Sequence, residues 1–263
     1  MPALHGVGIL VTRPEQQAMP LCRLLEAEGA HTLRLPAIDI KPLGSRREIA
    51  AQLGPLAAFD AIIFSSANAV RFGAPLLEQQ RDLCLAAIGP ATARALNQAG
   101  YRVAVQPDES FDSESLLRHP RFDHPAGRRI LLIKGSNGRP YLERELRQRG
   151  ALVVAADVYH RVPAVPSQAA LAALLDSFSA GAVQVITATS LEIAANLLQV
   201  AAHGAAPALR DEFERVHWLV PGARVAAGVR ELGLAAPLLQ SESAEDQDLV
   251  AALVRWRSSA SGA

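Results

Sequence analysis

Gly8-Ile9-Leu10-Val11-Thr12-Arg13-Pro14 and Arg129-Ile130-Leu131-Leu132-Ile133-Lys134-Gly135 state one pattern twice: a short apolar strand, a tight turn and the start of a helix. The spacing that follows is also repeated. Thr12 stands seventeen residues before Gly29, and Ile133 seventeen before Gly150. In Ile88-Gly89-Pro90-Ala91-Thr92-Ala93, Gly89 precedes Gly100 by eleven residues. In Val220-Pro221-Gly222-Ala223-Arg224-Val225-Ala226, Gly222 precedes Gly233 by eleven. Ile63-Phe64-Ser65-Ser66 answers Thr187-Ala188-Thr189-Ser190, each ahead of a helix. Strands alternating with helices build parallel sheets covered on both faces. A doubled set therefore predicts two similar α/β domains, and two such domains usually enclose a cleft.

Working outward, strands are predicted at Gly8–Thr12, His31–Pro36, Ala61–Ser65, Leu83–Ile88, Arg102–Val105, Arg129–Ile133 and Ala151–Val158. Three more follow at Ala182–Thr187, Val216–Val220 and Pro237–Leu239. Helix stops are predicted at Gly29, Gly100, Gly150 and Gly233, where glycine takes the left-handed cap. The repeats are not in tandem order. Two strands precede a complete set between residues 61 and 158, and the remaining three arrive after Pro163. The economical solution is one discontinuous domain, residues 1–36 with 164–257, interrupted by an inserted domain at 42–156. Residues 37–41 and 157–163 alternate apolar and polar side chains and run into proline, as edge strands do. They are predicted to pair as a two-stranded β-ladder between two flavodoxin-like parallel-sheet domains. Residues 258–263 read as a flexible tail.

Composition excludes several classes. The 263 residues are half apolar, enough for two cores, and the formal charge is zero. A zero balance argues against a nucleic-acid footprint or a polybasic membrane anchor. No apolar run approaches the roughly 18 residues a membrane span needs, and no signal peptide fits the start, so a cytoplasmic protein is expected. Cys22 and Cys84 have no ligand-spaced partner and read as reduced thiols. The seven histidines form no pair at metal spacing.

Ligands of parallel sheets gather where strands end and helices begin. Those turns are Thr12-Arg13-Pro14, Ser65-Ser66-Ala67-Asn68, Gly89-Pro90-Ala91-Thr92, Lys134-Gly135-Ser136-Asn137-Gly138-Arg139, Thr189-Ser190 and Gly222-Ala223-Arg224. Each hydroxyl on its own is explained by helix capping. All six together, with Arg13, Arg71, Lys134, Arg139, Arg161 and Arg224 nearby, point to a polyanion held by backbone N–H groups and fixed cations. Gly135-Ser136-Asn137-Gly138 lacks the third glycine of a dinucleotide loop. Of the three tyrosines, Tyr101 and Tyr141 occupy common packing positions, whereas Tyr159 lies on a crossing strand. Two roles stand for it: a phenol donating a proton to a leaving hydroxyl, or a ring packed on the partner strand at Ile38 or Ile40.

From Gly8 to Trp256 the chain resembles uroporphyrinogen-III synthase. The resemblance is carried by Val11-Thr12-Arg13-Pro14, Phe64-Ser65-Ser66-Ala67-Asn68-Ala69-Val70, Ile88-Gly89-Pro90-Ala91-Thr92-Ala93, Lys134-Gly135-Ser136-Asn137-Gly138-Arg139 and Val158-Tyr159-His160-Arg161. It implies two similar α/β domains joined by a ladder, and a lyase that needs neither metal nor organic cofactor. Its substrate would be hydroxymethylbilane, a linear tetrapyrrole with eight carboxylates, closed to uroporphyrinogen III with its last ring inverted. On this resemblance Tyr159 is the expected catalytic group. Arg13, Ser65, Ser66, Asn68, Thr92, Lys134, Gly135, Arg139, Ser190 and Arg224 are expected to bind substrate. The family often has Thr-Ser-Pro where this chain has Ser65-Ser66-Ala67, and hydroxyls in the last turn where it has Gly222-Ala223-Arg224-Val225. A monomer is expected, taking its substrate by hand-over from the preceding enzyme, with no nucleic-acid or membrane partner. The competing class is a non-catalytic two-lobed anion-binding protein, which would share the hinge and the turns but predicts export.

Overall fold

A computed structural model describes residues 2–78, 80, 82–107, 112–203 and 208–260. By contact the chain divides into two compact units, Met1–Asp39 with Val162–Ala263, and Ile40–Arg161. The elements run β1 (Gly8–Val11), α1 (Glu15–Ala27), β2 (His31–Arg34), β3 (Ile38–Pro42), α2 (Arg46–Leu53), β4 (Ala61–Phe64), α3 (Ala67–Gly73) and β5 (Leu85–Ala87). They continue with α4 (Pro90–Gln98), α5 (Ser113–Arg118), α6 (Pro120–Asp123), β6 (Arg129–Gly135), α7 (Tyr141–Gln148) and β7 (Leu152–Pro163). The last group is α8 (Gln168–Ser179), β8 (Val185–Thr187), α9 (Leu191–His203), α10 (Ala208–Arg215), β9 (His217–Pro221), α11 (Gly222–Glu231), β10 (Leu238–Ser241) and α12 (Asp246–Ala260).

The first unit holds the sheet β10-β9-β8-β1-β2, parallel throughout. Counted within the unit, the strand order is 2-1-3-4-5, a common doubly wound order. The second sheet is β3-β7-β6-β4-β5, its last four strands parallel. A bridge from Ala86 to Val105 extends it at the β5 edge. Setting β6 and β7 in the places of β1 and β2 gives the same spatial order, entered at a different strand. That permutation accounts for the scrambled repeat: residues 8–29 match 129–150, while 61–66 match 185–190. The chain crosses between units inside β3 and again inside β7, which are neighbours. The two run antiparallel, Leu43 N donating to Val158 O at 3.1 Å and Ala164 N to Ala37 O at 3.1 Å.

Alternation explains the cores. In the second unit Ile62, Phe64, Leu131 and Ile133 enter one apolar cluster, and Ala61, Ile63, Ile130 and Leu132 enter another. Successive side chains of a strand point to opposite faces, so a sheet covered on both faces fills two clusters. In the first unit Trp218 is fully buried, edge-on to Phe213, and its indole N–H donates to Phe213 O at 2.9 Å. Gly29, Gly100, Gly150 and Gly233 all take positive φ at helix ends.

Three details differ from expectation. Residues 102–105 form no strand beyond the bridge at Val105, and Pro107, which has no N–H, cannot carry a ladder past it. The separate strands predicted at 151–158 and 157–163 are one continuous strand, β7. Ser258–Ala260 continue α12, and residues 261–263 lie outside the described residues.

Candidate functional site

Each sheet has a switch point, where strand order reverses and adjacent turns leave in opposite directions. In the second unit it lies between β6 and β4. At the end of β4, Ser66 caps α3, its Oγ accepting from Ala69 N at 3.0 Å. The same Oγ lies 3.1 Å from Tyr159 Oη. Tyr159 comes from β7, on the far side of β6, and is 9% exposed. Its ring stacks on Phe72 of α3, centroids 6.0 Å apart and planes at 25°. Beneath it is Gly135, the last residue of β6. Ser66 Oγ already accepts from a backbone N–H, so its own hydrogen can be given to Tyr159 Oη. The phenolic hydrogen is then left for a ligand, and the hydroxyl donor steadies charge that grows on the oxygen.

Of the two roles expected of Tyr159, the structure bears on packing. The ring is packed, but on Phe72 and Gly135, with Ile40 among the partly buried neighbours of the same cluster. Packing and a hydroxyl at a strand end coexist in one side chain.

The other expected residues of this unit are dispersed in character. Ser65 and Asn68 flank Ser66 and are half-buried. Lys134 pairs with Asp157 at 2.8 Å across the β6–β7 ladder, its side chain 14% exposed. Arg139 is exposed and reaches Glu114 at 3.0 Å. Thr92 is buried in the first turn of α4. A groove of about 680 Å³ lies elsewhere on this unit, lined by Arg46, Val70, Arg71, Glu78, Gln98 and Tyr101. It includes none of Ser66, Gly135 and Tyr159, and Arg46 there is paired with Glu78 at 3.3 Å.

In the first unit the switch point lies between β1 and β8. Thr12 is buried and donates to Thr187 O, while Thr187 Oγ1 donates to Leu10 O at 3.3 Å. Arg13 is engaged within the unit: it pairs with Asp246, donates to Ala244 O and meets Thr189 Oγ1 at 3.4 Å. Ser190 accepts from Ile193 N at 3.3 Å as the cap of α9. Gly222 takes φ +64° at the start of α11, and Arg224 is exposed in its first turn.

Sequence reasoning missed Phe72, Asp157 and Asp246. Phe72 carries no signal in the sequence beyond its apolar side chain, and Asp246 lies 233 residues from Arg13, with no local signal joining them. Asp157 faces Lys134 across a ladder whose register no spacing rule supplies. Among the described residues no group of three or more His, Cys, Asp or Glu is placed to hold a metal ion. No described helix is long and apolar enough to cross a membrane.

Comparison with known proteins gives one consistent result. A family model described as uroporphyrinogen-III synthase HemD matches residues 20–251. The uroporphyrinogen-III synthase of Escherichia coli K12 is 31% identical over 238 residues, covering 86% of this chain and 92% of that protein. That of Synechococcus elongatus is 33% identical over 179 residues, 64% of this chain and 67% of the relative. Among solved structures, the Helicobacter pylori uroporphyrinogen-III synthetase aligns with a TM-score of 0.61 at 15% identity, over 95% of this chain and 99% of its own. A mutant uroporphyrinogen III synthase of Thermus thermophilus aligns at 0.54 and 21% identity, over 98% and 100%. At those identities the structural likeness establishes the fold alone.

Proposed function

The chain belongs to the uroporphyrinogen-III synthase family, and on that premise we propose how its own residues carry out the reaction. It is an enzyme of the lyase type in haem biosynthesis, cyclising hydroxymethylbilane. A non-catalytic anion-binding protein is not favoured. The reaction begins at the hydroxymethyl carbon of the first pyrrole ring. Tyr159 gives its proton to the hydroxyl, the C–O bond breaks and water leaves. The pyrrole nitrogen lone pair delocalises the resulting cation, so no strong acid is required. The substituted α-carbon of the last ring attacks that cation and forms a spiro centre. The bond from that carbon to its original methylene then breaks, regenerating a cation on the third ring. The free α-carbon of the last ring captures it, and the proton lost from that carbon restores Tyr159. The net change is loss of one water and inversion of one ring.

Most of this work is positioning, which contributes on the order of 7–11 kcal/mol to well-oriented reactions. Ser65, Asn68, Lys134, Arg139, Ser190 and Arg224 are assigned to the acetate and propionate groups, with N–H donors at the helix starts. Arg13 and Thr92 are left out of that set: all three guanidinium nitrogens of Arg13 are engaged, by Thr189, Asp246 and Ala244 O, whereas the Lys134 ammonium meets Asp157 and keeps further N–H donors, and Thr92 is buried. The observation that supports the role of Tyr159 is its 3.1 Å contact with Ser66 at the switch point of the second sheet. A bilane that closes spontaneously to the symmetric type I product favours prompt hand-over from the preceding enzyme to a cytoplasmic monomer.

The test is to supply hydroxymethylbilane to the purified protein and resolve the isomers formed. Rapid formation of the type III isomer is expected. Type I alone, at the uncatalysed rate, overturns the activity.

A further inference from the structure

The phenol of Tyr159 has to reach across a whole strand. In the order β7-β6-β4 its own strand and that of Ser66 are separated by β6, so the two backbones stand about 9–10 Å apart. The ring can span that distance only by lying over the end of β6. Two local features permit it. The β6–β7 register runs evenly from Arg129 opposite Leu152 to Lys134 opposite Asp157, then slips so that Gly135 faces Tyr159. Val158 is the extra residue, and Val158 and Tyr159 enter one apolar cluster where strict alternation would send them to opposite faces. A bulge of this kind re-aims a side chain. Ser136 N fixes the new register by donating to Tyr159 O at 3.0 Å.

The second feature is the missing side chain at Gly135. A Cβ there would stand 2.6 Å from Tyr159 Cζ, 2.8 Å from Cε2 and 2.9 Å from Oη, directly under the hydroxyl end of the ring. The φ of Gly135 lies outside the left-handed region, so glycine is needed for space and not for backbone conformation. The ring has little room to yield, because Phe72 stacks on it and Ser66 holds its oxygen.

We propose that Gly135 and Phe72 are positioning residues that set the location of the Tyr159 hydroxyl, Gly135 by leaving the space beneath the ring and Phe72 by stacking on it. This rests on the assignment of Tyr159 to proton donation. Neither residue needs to touch substrate for the effect.

The experiment is a double-mutant cycle on kcat and KM for type III formation, using Gly135→Ala, Phe72→Leu and Tyr159→Phe, with melting temperatures taken alongside. Tyr159→Phe is expected to lower kcat about 100-fold, the lower end of the range for a positioned acid. Gly135→Ala should lower kcat to a similar degree with KM within about threefold, since the backbone accepts alanine and only the phenol is displaced. The double variant Gly135→Ala/Tyr159→Phe should be no slower than the worse single variant, because the displaced group is already absent. Phe72→Leu should lower kcat about tenfold and show the same loss of additivity with Tyr159→Phe. If Gly135→Ala does not fold, the Phe72→Leu cycle decides alone. Effects that multiply, or an unchanged kcat in the folded Gly135→Ala or Phe72→Leu protein, overturn the positioning role and leave that of Tyr159 intact. An unchanged kcat in Tyr159→Phe overturns the acid itself, and this inference with it.

Discussion

Tyr159 Oη meets Ser66 Oγ at 3.1 Å although the tyrosine belongs to β7 and the serine follows β4, strands that are not neighbours in the sheet. The contact therefore joins the middle of β7 to the turn after β4 across the end of β6, which contributes the glycine between them. It also couples a hydroxyl to a helix start, because Ser66 caps α3 and Phe72 of that helix packs on the tyrosine ring.

That coupling separates two effects of substitution at Ser66. Ser66→Ala removes the cap of α3 and should cost about 1 kcal/mol of stability. It also removes the partner of the phenol, so kcat should fall about tenfold, on the order of 1.4 kcal/mol of barrier. Ser66→Thr keeps an oxygen for both purposes and should restore most of each. Denaturant midpoints and steady-state kinetics on the three proteins check this. A rescue of stability without a rescue of kcat would mean that the hydroxyl serves the helix only.

Arg13 presents the opposite case, a cation in a strand-end turn that the fold has already engaged. Its side chain is 11% exposed and that of Asp246 26%, and Ala244 O accepts a second hydrogen bond. Hydrogen bonds to charged groups contribute about 1.5–3 kcal/mol, so Arg13→Ala should destabilise the first unit by about that amount. Asp246→Asn should lose part of the same energy, and the two losses should not add. KM for hydroxymethylbilane should stay within about threefold, the signature of a residue outside substrate binding. A tenfold rise in KM with unchanged stability would return Arg13 to the substrate site.

What could be read from the sequence was periodic or local. Apolar runs at Ile62–Phe64 and Ile130–Ile133, and glycines at 29, 100, 150 and 233, announce buried parallel strands and helix ends through properties of single residues and their near neighbours. The turns themselves were legible for the same reason, since capping hydroxyls precede helices. The internal geometry of the site was not. The slip at Gly135 is a one-residue event that leaves the apolar pattern of β7 readable as an ordinary strand, yet it decides where Tyr159 points. Phe72 is one apolar residue of a helix, partly buried against the core, and its contact with the Tyr159 ring follows only from what lies across the sheet. The engagement of Arg13 depends on Asp246, which local patterning cannot connect to it. Charge in a turn was legible; whether that charge was already paired was not.

The close packing of α3 on the sheet offers a test of the scaffold under the site. A Cβ on Gly73 would lie 2.5 Å from Ile133 Cγ2 and 3.3 Å from Phe64 Cε1. Replacing a helix glycine by alanine gains about 0.8–1 kcal/mol in propensity, at most, because Gly73 is at the end of its helix. Overpacking a filled core costs about 1–3 kcal/mol. The second effect should win, and Gly73→Ala should lower the denaturant midpoint with its slope unchanged. An increase would show that α3 can shift by several tenths of an ångström without cost. Ser66 and Phe72 would then be held less firmly than their contacts suggest.

The acid limb of stability is expected to depend on His217. Its ring lies 5.0 Å from that of Trp256, centroid to centroid, and burial lowers its pKa below the ordinary 6.5. Above pH 6.5 the imidazole is neutral whether the chain is folded or not, and its contribution is complete. As pH falls below 6.5 the unfolded chain takes up a proton that the folded protein resists, so stability declines. The decline stops once pH passes the lowered folded value and both states are charged. His217→Phe removes the proton site and keeps an aromatic ring beside Trp256. The variant should therefore lose less stability than the parent as pH falls below 6.5, with the two curves parallel above about pH 7. Melting temperatures across that range check the sign. A variant that loses more stability than the parent on acidification would mean that the folded protein stabilises the charged ring, contrary to its burial.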